Sequence, residues 1–291
     1  MAQFSAQEIS EITTAAKNFK WGARWTMPCI FTGHMVACEH PNESHIRNFS
    51  TITRLYLTSQ NQQVFLIYRY PLSWIHSLSD NLQRWTTDKH SYKPLSQRVW
   101  QEIFESKSLI PLIPVKVTGV VALPYIPNLN FRDVLLYNAG NLTVLQILKV
   151  AGELADLVNS LHDRGCAWGE LVAHNIIVAQ DTYKPTLCDT EVRYYSGVPL
   201  ERQEANDWTD FILSLGGSMS GNIAWSDHDI TRVVQSVLSK IKNPRVRGLV
   251  VERCKKRITI GELVFWPAVA GRYECSLREL KNLKRVIARF S

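Results

Sequence analysis

The sequence predicts an α+β fold in two parts, strand-rich over residues 1–126 and helix-rich over residues 127–291. Three observations carry this. Two β-rich runs, Thr51–Leu57 and Val64–Tyr70, lie a few polar residues apart in the first part. In the second, Ile147, Ala151, Leu154, Leu157, Val158 and Leu161 share one face of a helix over Thr143–His162. Helical patterns then continue at Asp207–Leu215, at Asp229–Ile241 and near the end of the chain.

Taken in order, Phe4, Ile9, Ile12 and Ala16 fall near helical spacing and predict a short helix within residues 1–20. The run T-I-T-R-L-Y-L alternates and is rich in β-formers. Ser59–Gln62 is turn-like, and V-F-L-I-Y-R-Y reads as a second strand ended by Pro71, so the two runs form an antiparallel hairpin. Ser73–Leu95 is polar and irregular. Val99, Ile103 and Phe104 among charged residues predict a helix over Ser96–Leu109, stopped by Pro111. Val115–Ala122 and Tyr125–Ile126 read as strand, and Pro124 and Pro127 open a connector. Thr143 is the expected N-cap of the next helix and Gly165 its terminator. Short strands follow at Ile176–Val178 and Thr186–Cys188.

Composition is that of a folded globular protein. Apolar residues make up 45% and charged residues 20%, which excludes a disordered chain. The 291 residues suffice for two modest lobes. The six cysteines form no C-x-x-C pair, so reduced thiols in a cytoplasmic setting are expected. Glu8, Glu11 and Lys17 interrupt the first twenty residues, which do not read as a signal peptide.

The net charge of +7 favours anionic partners. Basic residues concentrate at Lys255, Lys256 and Arg257 and again in the last fifteen residues. There Leu277, Leu280, Leu283, Ile287 and Phe290 form a stripe flanked by Arg278, Lys281, Lys284, Arg285 and Arg289. Such a basic amphipathic helix rests on an anionic membrane as a peripheral contact, binds a partner, or docks its stripe on its own domain. Net charge is the sole nucleic-acid signal, so nucleic acid is not an expected partner.

The stretch Leu161–Glu191 carries the chemistry. A helix ends in Leu-His and a glycine; a tight loop then holds Glu170 and, five residues later, Asn175; an apolar strand follows, and a second short strand ends in Asp189. Phosphoryl transfer needs such a set: one carboxylate near the attacking hydroxyl, and an amide oxygen with a second carboxylate to hold a bridging metal.

This stretch resembles the catalytic and metal-binding loops of the protein-kinase-like superfamily, most closely the lipopolysaccharide-core (Kdo/heptose) kinases and RIO-type kinases. Their loop reads L-H-x-x-G-x-x-H-G-D-L-x-x-x-N-I-L-V, with a later strand ending in I-D-F-E. Leu161, His162, Gly165, Gly169, Leu171, Asn175, Ile176, Val178, Asp189 and Glu191 match. The resemblance covers Ser50–Leu215, firmly only over Leu154–Leu215. It implies a two-lobed kinase-like fold, a small antiparallel sheet in the N-lobe and a mainly helical C-lobe. It further implies ATP and Mg²⁺ as cofactors, Glu170 as catalytic base, Asn175 and Asp189 as metal ligands, and Asp207 as a brace for the loop from a long helix. An anionic sugar or glycolipid acceptor and a cytoplasmic location at the inner membrane face follow from the same resemblance.

Departures from the pattern are specific. The family's H-G-D is Trp168-Gly169-Glu170 here. The extra methylene of Glu moves the carboxylate by about 1.5 Å, and a misplacement of about 1 Å can cost about a hundredfold in rate. Where the third strand carries K-R-Y, this chain has Tyr68-Arg69-Tyr70, so the phosphate-binding Lys is Tyr68. Placing Arg69 there requires a shift of one residue, which sends the side chain to the opposite face. Glu102, with Glu105 as runner-up, is the candidate partner for such a cation. No glycine lies between Gly33 and Gly119, so the phosphate loop lacks its standard form. His162 reads as loop packing, Trp168 as core packing and His174 as exposed. The competing functions are an ATP-dependent phosphotransferase, a pseudokinase interaction module that has lost transfer, and a general anion-binding scaffold.

Overall fold

A computed structural model describes residues 4–23, 44–47, 50–57, 63–69, 89–90, 97–125, 128–138, 140–188, 193–194, 197–256 and 277–288. The protein is α+β, with helices and small antiparallel sheets. In chain order its elements are α1 (Ala6–Ala23), β1 (Ser44–Arg47), β2 (Ser50–Tyr56), β3 (Gln63–Arg69), β4 (Lys89–His90), α2 (Gln97–Lys107), β5 (Val120–Pro124), β6 (Asn128–Asn130), α3 (Phe131–Tyr137) and α4 (Val144–His162). There follow β7 (Ile176–Ala179), β8 (Pro185–Leu187), β9 (Arg193–Tyr194), α5 (Leu200–Ser220), α6 (Asp227–Lys240), α7 (Pro244–Lys255) and α8 (Leu277–Ala288). The chain divides into two compact units, residues 1–80 with 92–126, and residues 81–91 with 127–291. Residues 81–91 thus group with the second unit, where β4 pairs with β9, rather than with the first 126 residues as the sequence alone predicts.

The first unit is a four-stranded antiparallel sheet in the order β1-β2-β3-β5. The predicted hairpin is present, with Ser50 opposite Arg69 and Tyr56 opposite Gln63. Val64, Leu66 and Tyr68 alternate onto one face of β3 and are buried with Val120 and Ala122 of β5. Ile12 and Ala16 of α1 complete that cluster. Ser5 and Glu8 start α1 with reciprocal bonds: Ser5 N–H donates to Glu8 Oε2 at 2.7 Å and Glu8 N–H to Ser5 Oγ at 3.3 Å. The predicted strand Val115–Ala122 is not continuous. Gly119 adopts φ +79°, reversing the chain into β5, and a Cβ there would lie 2.7 Å from Gln97 Cδ.

The second unit centres on α5, buried nearly all round from Glu204 to Met219. Helices α3, α6, α7 and α8 pack on α5, and α4 packs on α6. Thr143 caps α4 as the sequence predicts, in a capping box with Gln146. Gly165, at φ +71°, sits three residues beyond the helix end, and Cys166 N–H returns to Leu161 O. The three-stranded sheet β6-β7-β8 lies beside the chain segment that joins α4 to β7.

The C-terminal stripe resolves to docking on its own domain. Leu280, Leu283 and Ile287 are buried, and α8 packs against α5 and α7. Close approach depends on Gly216 of α5: a Cβ there would stand 2.6 Å from Leu283 Cδ2. Those buried side chains are not available to enter a bilayer. Truncating Leu283 to Ala is expected to lower unfolding stability by about 2–4 kcal/mol, measured by urea denaturation, because the cavity beside Gly216 has no side chain to refill it.

Candidate active-site loop

The loop between α4 and β7 is held from below by α5. Asp207 and Ser214 are seven residues apart and therefore on one face of that helix. Asp207 is fully buried and accepts from Trp168 N–H at 2.6 Å and from Gly169 N–H at 2.9 Å, the two amides directly before Glu170. Ser214 Oγ accepts from Ala173 N–H at 3.0 Å, three residues beyond Glu170. The two anchors thus bracket Glu170. Gly169 takes φ +103°, a backbone state open to glycine, and delivers Glu170 to a half-buried position.

Asn175 closes the loop on itself. Its Nδ2 donates to Glu170 O at 3.1 Å, and its own carbonyl accepts from Cys188 N–H at 2.8 Å. Asn130 Nδ2 fixes the neighbouring His174 O at 2.9 Å. With Nδ2 committed inward, Oδ1 of Asn175 is the atom left to act as a ligand. A side-chain carboxamide oxygen used together with a carboxylate is the donor chemistry that suits Mg²⁺. Among the described residues, no group of three or more His, Cys, Asp or Glu side chains is placed to hold a metal ion. Asp189 lies outside the described residues; the chain reaches it directly after the Cys188–Asn175 bond.

Asp207 is also the endpoint of two side chains. Tyr194 Oη donates to Oδ1 at 2.7 Å, and His162 Nε2 lies 3.2 Å from Oδ2. Burial, followed by the negative field of Asp207, pushes the Tyr194 phenol well above its usual pKa, so it stays a donor. A carboxylate without solvent is tolerated because charge-assisted bonds take up its oxygens. His162 is buried against Trp208, edge to face at 5.8 Å, and Trp168 is buried in the core, as expected.

The first unit holds the remaining sequence candidates. Glu102 is exposed and accepts from Arg98 Nε at 2.9 Å within α2, a surface pair. Glu105 accepts from Gln101 Nε2 at 3.3 Å. Gln97 of α2 reaches β3, where its Nε2 donates to Tyr68 Oη at 3.2 Å. Tyr68 is fully buried in the cluster that Ile12 and Ala16 complete, so it is a neutral core residue. The Arg69 backbone pairs with Ser50; its side chain lies outside the described residues.

Sequence reasoning reached Glu170, Asn175 and Asp207 but missed Ser214, Tyr194 and Asn130. The spacing of Ser214 from Asp207, two helical turns, is the one signal that pointed to it. A scan against protein-family models and a search of curated proteins returned no match.

Two outcomes are expected. Asp207→Asn turns an amide N–H₂ toward groups that are themselves donors, and should cost about 3–5 kcal/mol in a melting or urea experiment. Glu204, buried on α5, has its carboxyl pKa raised by desolvation first, with Glu201, Asp207 and Asp163 adding to it and His162 opposing. The folded state therefore holds this proton more tightly than the unfolded state. The side chain's effect on stability becomes unfavourable as pH rises above the ordinary value of 4.5. Glu204→Gln should be more stable than the parent at neutral pH, with the difference vanishing below that value, read from melting temperature against pH.

Proposed function

We propose that the chain is a kinase-like, ATP-dependent phosphotransferase acting on a hydroxyl of an anionic sugar or glycolipid acceptor. The observation that carries this reading is the self-closed loop: Asn175 Nδ2 on Glu170 O, with Asp207 on the two amides before Glu170. Phosphoryl transfer asks little covalent chemistry of a protein and much positioning, which is what such a braced loop provides. Glu170 accepts the proton of the attacking hydroxyl. Asn175 Oδ1 and the Asp189 carboxylate are the metal-holding groups. ATP with Mg²⁺ supplies the phosphoryl group and the charge that offsets it. Asp207, through the amides of Trp168 and Gly169, keeps the carboxylate of Glu170 from drifting.

A second reading, a nucleotide-binding pseudokinase, draws on Tyr68. A buried neutral side chain stands at the position of the phosphate-contacting lysine, and Glu102 is paired within its own helix. Loss of that cation removes a charge on the phosphates without touching the braced loop.

The two are separated by melting the protein with ATP, with and without Mg²⁺, and by following ADP release with sugar and glycolipid acceptors. The expected result is a Mg²⁺-dependent rise in melting temperature together with turnover. Glu170→Gln should cut turnover by on the order of a hundredfold or more with the nucleotide shift retained. Asp189→Ala should abolish both. A shift without turnover across acceptors selects the pseudokinase reading; no shift with any nucleotide ends both.

A further inference from the structure

We propose that the outward faces of α7 and α8 form one electropositive surface that docks on an anionic lipid bilayer. Residues 244–256 and 277–288 together hold nine Lys and Arg against Glu252 and Glu279, a surplus of seven. The whole chain has 33 Lys and Arg against 26 Asp and Glu, a surplus of seven as well. The remaining residues are therefore balanced, 24 against 24, and the net charge of the molecule resides on these two helices and the Lys256 that caps α7.

Folding brings these two helices together across twenty intervening residues. They pack on each other and both pack on α5. Burial pushes the Cys254 thiol on α7 up to about 12, and the two cations that oppose this are Lys284 of α8 and Arg253 of α7. Both helices thus bring positive charge to one point. Arg245, Arg247 and Lys255 on α7 and Lys281 and Arg285 on α8 are exposed.

Charge complementarity names the partner class, and the character of the surface selects within it. Clusters of four to eight Lys and Arg on a helical surface are the signature of anionic-headgroup binding, each contributing independently near the membrane. The large hydrophobics exposed among the described residues, Tyr137, Leu145, Leu200 and Ile223, all lie off α7 and α8. Neither α7 nor α8 carries an aromatic residue on which the bases of a single-stranded nucleic acid could stack. The stripe Leu280, Leu283 and Ile287 is already spent on the domain core, so attachment is electrostatic, without insertion. Docking through this face is independent of phosphotransfer at the loop.

The test is co-sedimentation of the full chain with phosphatidylcholine vesicles that do or do not contain phosphatidylserine. Binding is expected only to the anionic vesicles and is expected to fall steeply as salt is raised. The triple variant Lys255→Gln, Lys281→Gln, Arg285→Gln should bind on the order of a hundredfold more weakly, and each single change about fivefold. Lys149→Gln on α4 should bind as the parent does. The single changes keep the test valid where the triple variant fails to fold. Equal binding to both vesicle types, insensitivity to the single changes, or tighter binding to duplex DNA or RNA than to anionic vesicles would each overturn the proposal.

Discussion

The second unit depends on a carboxylate with no access to water. Asp207 lies in the middle of a helix buried nearly all round, and it accepts from the loop amides of Trp168 and Gly169 and from the Tyr194 hydroxyl. An unpaired charge in that place would cost several kcal/mol, so the carboxylate and its donors stabilise one another or fail together. The geometry before Glu170 is therefore imposed by the interior of the unit rather than by the loop's own preferences. Gly169, at positive φ, is the hinge through which that imposed geometry reaches the surface.

Ser214 and Asn175 extend the same logic. Ser214 holds the far side of the loop from the same helix face, and Asn175 ties the loop's end to its beginning. Tyr194 adds the segment that follows residues 189–192, since its hydroxyl ends on the carboxylate that holds residues 168 and 169. Burial keeps that hydroxyl protonated. Two stretches of chain that chemistry would use together thus share one buried anion.

Much of this was legible in the residues, for identifiable reasons. The helix α4 announced itself through a wide apolar face and a Thr143 cap, and the hairpin β2–β3 through alternation. Glu170, Asn175 and Asp207 were found by spacing and resemblance. Helix α5 was read as Asp207–Leu215 but runs from Leu200 to Ser220. It buries Asn206, Asp207, Thr209, Asp210 and Ser214 along with its apolar residues, and a helix buried on all sides has no amphipathic period to detect. Helix α7 was missed because Val246, Gly248, Val250 and Val251 give it poor intrinsic propensity; an Asn243 cap, Pro244 in the first turn and packing on α5 supply what propensity lacks. Helix α3 is seven residues long, too short to show a period, and rests on the Asn130 cap. Glu102 has a local partner, Arg98, one turn away on an exposed face, and an i,i+4 neighbour costs no loop closure to reach.

Gly216 stands two residues from Ser214 on α5, and Leu283 fills the notch its missing side chain leaves. The helix that steadies the loop on one side is thereby wedged by α8 on another. A lesion in the last dozen described residues, remote in sequence from Glu170, would be transmitted through the tilt of α5 and would present as a defect of the loop. Genetic screens that score only function would then assign to the tail a chemical importance that belongs to its role as a wedge.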